Sequence, residues 1–451
     1  MQSLRKISLF VLLFVLLTSC EDSEQSDNNG IVTEPLLGEV DWLKTYGGSD
    51  EETAHAVIET SDGGLAVLGF TKSLDGDVMG KSTPVNDFWL LKLDGEGNME
   101  WQNTYGGSDD DRGRDIIQTM DGGYAIAGYS KSSDGDASNN EGQHDNWILK
   151  LDATGTVQWE KSFGFSGHDH LYSILQTDDG GYFLGGFLDV TESNGEGNTG
   201  KKGISTSHGV GEFWGQKLDS NGNLQWRRYF GGTNNDRIHK VLQAEDGGFV
   251  LVGFTESDDF DITNTNGSYD FWVVKINAQG EMAWQETYGG SGLDIAYGAA
   301  KTHDNGYVIA GQTISTDGDV TNSNGESDFW VIKINDTGNM VWQKTYGGTD
   351  FEAAWSIAAS LDKGFVIAGN SKSTDNDLSS NKGENDFWIL KIDQNGNLLH
   401  ELNIGGSGLD FAYGVTATSD GKIIAVGDTE STDQDIMTNK GKKDVLIAKI
   451  K

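Results

Sequence analysis

One stretch of this chain is written seven times. The Gly-Gly doublet of Thr104-Tyr105-Gly106-Gly107-Ser108 returns with its second residue at Gly48, Gly107, Phe165, Gly232, Gly290, Gly348 and Gly406, at spacings of 59, 58, 67, 58, 58 and 58 residues. An acid that opens a Phe-Trp type of segment keeps the same beat at Asp87, Asp145, Glu212, Asp270, Asp328, Asp386 and Asp444. A period of this size marks units that cannot bury their apolar faces alone and must stack on their neighbours. Each unit reads as four short strands. AHAVIET leads to a Ser-Asp-Gly-Gly turn and LAVLGFT; after a long polar loop, a DFWVVKI-type strand meets a Gly-Asn turn and the alternating MEWQNTY. The third strand is apolar on both sides and so needs neighbours on both faces. No apolar period of 3.6 persists for three turns, which excludes helical solenoids. The expected fold is all-β, a seven-bladed β-propeller of four-stranded blades over 41–451.

The last unit stops after its third strand, at Ile447-Ala448-Lys449-Ile450-Lys451, whereas Asp41-Trp42-Leu43-Lys44-Thr45-Tyr46 is an outer strand with no unit before it. We expect 41–46 to lie beside 444–450 and close the ring, since a propeller left open would expose an unpaired edge. The units also resemble the bacterial seven-bladed β-propeller repeat family, in the TYGGS stretch 104–108 and in Asp328-Phe329-Trp330-Val331-Ile332-Lys333-Ile334-Asn335, with their copies. Two departures stand out: Trp beside Phe in the third strand, and Gly164-Phe165 for Gly-Gly in unit three. The resemblance implies the fold and says little about activity.

The first residues read as an address. Arg5 and Lys6 precede the apolar run Ile7–Leu17, too short to span a bilayer, so 1–19 is expected to be a signal peptide. Leu17-Thr18-Ser19-Cys20 resembles the lipobox of bacterial lipoproteins, which implies cleavage before Cys20 and lipidation of its thiol. The acidic tether 20–40 resembles the stretch that sends Bacteroidetes lipoproteins to the cell surface. A protein of the cell envelope is expected, at the outer membrane, held through its N-terminal lipid only. Cys20 is the single cysteine, so an intramolecular disulfide or multi-Cys metal site is excluded. A net charge of −38 argues against nucleic acid and against anionic lipid as direct partners.

Residues repeated in every unit point to scaffold, because chemistry needed once has no reason to recur seven times. Twelve of the 13 Trp fall into two columns, 42, 101, 159, 226, 284, 342 and 89, 147, 214, 272, 330, 388, expected to pack blade against blade. Trp355 stands outside them. A Lys column (92, 150, 217, 275, 333, 391, 449) should pair with an Asp column at the first turn (62, 121, 179, 246, 304, 362, 420). The acids Glu52, Asp111, Asp169, Asp236, Asp294, Glu352 and Asp410 are expected to accept N–H groups of the GGS turn; a carboxylate ring round the axis is the sharper alternative.

Six units carry Asp-x-Asp in the long loop: Asp75/Asp77, Asp134/Asp136, Asp259/Asp261, Asp317/Asp319, Asp375/Asp377 and Asp433/Asp435. Alternating carboxylates with Asn nearby suit calcium, although the EF-hand spacing fails and Asx-turns alone account for the residues. No other cofactor is implied. Unit three breaks the pattern on the same face: its long loop has nine extra residues, no Asp-x-Asp, and Lys201, Lys202 and His208. His168 and His170 follow Phe165, and His144 lies on the loop of unit two. A metal or catalytic His site is one reading of these histidines. The reading adopted is a ligand-contact patch of Phe165, His168, His170, Tyr172, Lys201, Lys202, His208 and Trp355, with Tyr297, Phe411 and Tyr413 near the ring mouth. The chain is thus expected to be a monomeric binding or interaction module for a glycan or a partner protein. An enzyme acting on polysaccharide and a structural or adhesive protein are the rivals. No HExxH, nucleophile elbow or phosphate-cradling loop occurs, and no consistent acid–base pair stands outside the repeats.

Overall fold

The computed structural model describes residues 38–190, 209 and 211–451. Cys20, Lys201, Lys202 and His208, and with them the signal peptide, the lipidation site and most of the acidic tether, lie outside the described residues. Among the described residues, twenty-eight strands form seven four-stranded antiparallel sheets arranged in a ring, each inner strand packing against the inner strands of both neighbouring blades. The inner strands are Glu52–Glu59, Asp111–Gln118, Asp169–Gln176, Asp236–Gln243, Asp294–Lys301, Glu352–Ala359 and Asp410–Ala417, numbered here as blades one to seven. The fold is the seven-bladed propeller the repeat implies.

The ring closes as expected. Val40–Tyr46 pairs antiparallel with Asp444–Ile450 and becomes the outer strand of blade seven, in the order Val40–Tyr46, Asp444–Ile450, Ile423–Thr429, Asp410–Ala417. The strand begins one residue earlier than expected, and Glu39 exchanges main-chain hydrogen bonds with Lys451.

The core lies between blades. The Trp column of the third strands is at most 1% exposed. Trp147, Trp272, Trp330 and Trp388 each sit 4.3–4.8 Å, centroid to centroid, from a Phe of the preceding blade. The outer Trp column is half-buried, with Trp101 and Trp159 edge-on to Tyr124 and Tyr182 of the next blade. Six of the seven lysines pair with the turn aspartate of their own blade at 2.7–3.1 Å. The seventh departs: Lys449 donates to Gly95 O, and Lys422 stands 3.5 Å from Asp420.

The GGS loop is the joint of each blade, and three carboxylates take its successive N–H groups. The second residue of the doublet donates to the acid column (Gly48 to Glu52, Phe165 to Asp169, Gly406 to Asp410) at 2.7–2.9 Å in all seven blades. In six blades the next residue donates to the first Asp of Asp-x-Asp, which is Asp75, Asp134, Asp259, Asp317, Asp375 or Asp433, at 2.7–2.9 Å. The first Gly donates to the second Asp, which is Asp77, Asp136, Asp261, Asp319, Asp377 or Asp435, at 3.0–3.2 Å. Such a run of N–H groups forms a concave anion-binding nest, and here the chain's own side chains fill it. The acid column is fully buried at these joints and stands away from the axis.

Candidate functional site

Each inner strand carries a β-bulge at its fourth residue. The register skips from Ala54 to Ala56, Gly113 to Asp115, Leu171 to Ser173, Ile238 to Lys240, Ala296 to Gly298, Ala354 to Ser356 and Ala412 to Gly414. The residue left out of the ladder is turned toward the axis, which is what bulges do. A glycine in the second strand makes the bulge possible. A Cβ on Gly69, Gly311 or Gly427 would stand only 1.7–1.9 Å from the carbonyl oxygen of Thr53, Ile295 or Phe411, two residues before the bulged position.

The seven bulged residues are His55, Arg114, Tyr172, His239, Tyr297, Trp355 and Tyr413, and they form a closed girdle. Arg114 Nη1 donates to His55 Nε2 at 3.0 Å, and its guanidinium lies 5.6 Å over the Tyr172 ring. Tyr172 meets His239 edge-on at 5.2 Å, and His239 stacks on Tyr297 at 4.9 Å and 15°. Trp355 stands 4.3 Å from Tyr297 and 5.7 Å from Tyr413, which reaches His55 at 5.0 Å. The girdle surrounds a cavity of about 540 Å³ on the axis, lined also by Arg112, Asp115, Lys240, Asp428 and Lys443.

Burial, then the Arg114 charge, holds His55 well below the usual imidazole range, and burial pulls His239 down to about 4. Both rings are therefore neutral at pH 7. His239 Nδ1 donates to Ala296 O at 2.8 Å, which leaves Nε2 as an acceptor. Burial raises Tyr297 and Tyr413 above the ordinary phenol range, so they stay protonated. The cavity's positive charge rests on Arg112, Arg114, Lys240 and Lys443. Against it stand Asp115, 3.1 Å from Lys240, and Asp428, 3.4 Å from Lys443 and pushed up to about 7 by burial.

Of the residues expected from sequence, Tyr172, Trp355, Tyr297 and Tyr413 meet in this girdle. Phe411 stacks on Tyr413 at 6.0 Å and 9°. Phe165 is elsewhere, 5.9 Å from Trp214 and beneath the Arg227 guanidinium at 4.8 Å. His168 and His170 join His144 at the seam between blades two and three, and His170 stacks on Tyr129 at 3.9 Å and 11°.

The Asp-x-Asp carboxylates accept main-chain N–H groups of the GGS loops. Asp75, Asp77, Asp134, Asp136, Asp259, Asp261, Asp317, Asp319, Asp375, Asp377, Asp433 and Asp435 do not converge in threes on a common point. Among the described residues, only His144, His168 and His170 do so within 4.8 Å. The reason is local: each GGS loop offers a row of N–H groups, and the two carboxylates of a pair are spread along that row to accept them. Two of these acids take a lysine as well, Asp77 from Lys440 and Asp435 from Lys382. Sequence reasoning missed His55, Arg114 and His239. The only signal was side-chain size: the fourth inner-strand position is always His, Arg, Tyr or Trp, but the positions on either side vary as well, so the column does not stand out.

No family model matches the chain. It is 22% identical over 425 residues to the regulatory protein FlaEY of Caulobacter vibrioides, covering 86% of this chain and 41% of that protein. The chain thus spans less than half of that relative's length. Among solved structures it is similar to the Neurospora crassa Pan2 WD40 domain, with 8% identity, a TM-score of 0.47 and 88% of each chain covered. It is also similar to puromycin hydrolase, with 10% identity, a TM-score of 0.48 and 85% of this chain against 51% of that one. These likenesses concern architecture and do not bear on what the chain binds.

Proposed function

We propose that this chain is a lipid-anchored protein of the cell envelope whose propeller binds a compact anionic ligand bearing a ring, such as an acidic sugar, in its axial cavity. The girdle carries this reading. A scaffold built by repetition has filled one position with seven side chains of four kinds, all facing one cavity. Aromatic faces stack on sugar rings, and the basic side chains outnumber the acids around them, in a chain of net charge −38. The cavity is within the roughly 300–1,000 Å³ typical of small-molecule sites. The address rests on the lipobox-like Leu17–Cys20.

Calorimetric titration of the full chain with uronic-acid and neutral oligosaccharides of equal length tests the reading. Acidic members should bind, and Trp355→Ala should weaken them at least tenfold while the variant still melts cooperatively. Equal affinity for the neutral series, or binding indifferent to Trp355→Ala, rejects it. Product release in the same mixtures would favour the enzyme reading. Calcium at the Asp-x-Asp loops is a separate proposal: each pair would exchange main-chain N–H donors for a cation, so Ca²⁺ should raise the melting temperature and EGTA lower it. Identical melting in both disposes of it.

A further inference from the structure

Three histidines occupy columns in which the other blades carry none. His144 immediately precedes the third strand of blade two, where the other units have Asn86, Gly211, Tyr269, Ser327, Asn385 and Lys443. His168 immediately precedes the inner strand of blade three, where the others have Glu51, Asp110, Asn235, Leu293, Phe351 and Leu409. An isolated bridge joins the two backbones across the seam, as it joins five of the six equivalent pairs. His170, two residues on, turns to the same side. One ring nitrogen of each lies within 4.8 Å of one from each of the others.

We propose that His144, His168 and His170 form a binding site for a zinc-class transition-metal cation at the seam of blades two and three. Three imidazoles with room for a further ligand are the donor set of open zinc sites, and imidazole suits zinc, copper and nickel where it does not suit calcium. His144 Nδ1 and His168 Nδ1 stand 2.8 Å apart, so in the metal-free chain one donates to the other. Moving that proton to the far nitrogen of its ring turns both Nδ1 lone pairs inward. His144 Nε2, buried and without a hydrogen-bond partner, is 3.7 Å from Asp110 Oδ2, the carboxylate–histidine arrangement that orients metal ligands. His170 Nε2 is also buried and unpartnered, while its Nδ1 is 3.5 Å from Tyr172 Oη of the girdle. Nitrogens about 2.0–2.1 Å from one ion stand about 3.3 Å apart, so binding parts the His144 and His168 Nδ1 atoms by about half an ångström and brings His170 closer to them. The proposal does not depend on what the axial cavity takes.

Zn²⁺ titrated into the chelator-stripped full chain should bind one per chain, with a Kd of about 1 μM or tighter. His144→Ala and His168→Ala should each weaken it at least tenfold, and Asp110→Asn about tenfold. His303→Ala, an exposed histidine of blade five, should leave it unchanged. Co²⁺ should give a visible ligand-field band that His168→Gln abolishes, and matching apo melting temperatures establish that each variant is folded. No binding at about 100 μM Zn²⁺, equal binding by wild type and His168→Ala, or displacement of Zn²⁺ by equimolar Ca²⁺ overturns the proposal.

Discussion

Lys240 of blade four reaches past blade three to Asp115 of blade two, with Nζ 3.1 Å from Oδ2. Blade three is not bypassed, because Ser173 Oγ and Ile174 N donate to the same carboxylate at 2.9 and 3.0 Å. Asp115 therefore holds three blades at one atom beside the girdle. Asp115→Ala strands a buried N–H and hydroxyl and should cost about 2–3 kcal/mol in denaturant unfolding. Lys240→Met leaves Oδ2 its two donors from blade three, with Ile116 N still on Oδ1, and should cost less than about 1 kcal/mol. Equal losses would mean that the ion pair alone matters.

The bulges depend on their glycines. In Gly311→Ala the new methyl would stand 1.9 Å from Ile295 O, so the inner and second strands of blade five must separate or the bulge must go. A loss of about 3 kcal/mol is expected. Ligand binding should fall with it, because Tyr297 would rejoin the ladder.

Closure by strand 40–46 gives a sharp truncation test. Removing it bares the edge of Asp444–Ile450, which no other strand covers. The truncated chain should aggregate by light scattering and melt earlier. Trp42→Ala, which keeps the strand and loses half-buried packing, should cost about 2 kcal/mol and leave the chain monomeric.

The contribution of six buried aspartates to stability should fall as pH rises from about 4 to 8. Burial pushes Asp87, Asp145, Asp270, Asp328, Asp386 and Asp444 up to about 6, and each has one buried carboxylate oxygen without a hydrogen-bond partner. Because these folded values exceed the ordinary 3.8, the native state binds more protons than the unfolded chain between pH 4 and 6. Their stabilisation is full below about 4 and is lost as pH rises through 6. The turn aspartates work oppositely: Asp62 and Asp179, held down to about 2 first by the Thr60 and Thr177 hydroxyls, add stability between pH 2 and 4. His55 and His239, held below the imidazole range by burial, oppose this and add stability as pH rises toward 6.5, so the check is a difference: the melting temperature of Asp328→Asn should gain on that of the wild type between pH 4 and 8.

Cys20→Ser tests the address. If the thiol carries the lipid, the variant should move from the membrane to the soluble fraction with its propeller folded. Retention in membranes would require another anchor.

Blade number, strand order, closure and the scaffold columns were legible in the sequence because each rests on a pattern repeated six or seven times. Asp-x-Asp illustrates the limit of such reading: the spacing fits both hard-cation ligands and main-chain acceptors, and only the positions of Gly47 N on Asp77 and Ser49 N on Asp75 show the N–H contacts. The girdle was half legible. Its aromatics stood out by type, whereas His55, Arg114 and His239 did not, because a bulge at the fourth inner-strand residue cannot be read from alternation alone. His144 and His168 lie 24 residues apart in sequence, and only the bridge across the seam brings their nitrogens to 2.8 Å.

The girdle side chains stand outside the strand ladder, and so they are mutationally separate from the scaffold that carries them. A substitution at Tyr297 or Tyr413 breaks no ladder hydrogen bond and leaves the Trp columns as they are, whereas a change one residue earlier, at Ala296 or Ala412, enters a fully buried position. Drift or selection can thus rewrite the axial chemistry one blade at a time while the blades remain interchangeable. A chain that arose by duplicating one unit would have begun with seven identical girdle residues, and its present His-Arg-Tyr-His-Tyr-Trp-Tyr series is where its copies have been free to become individuals.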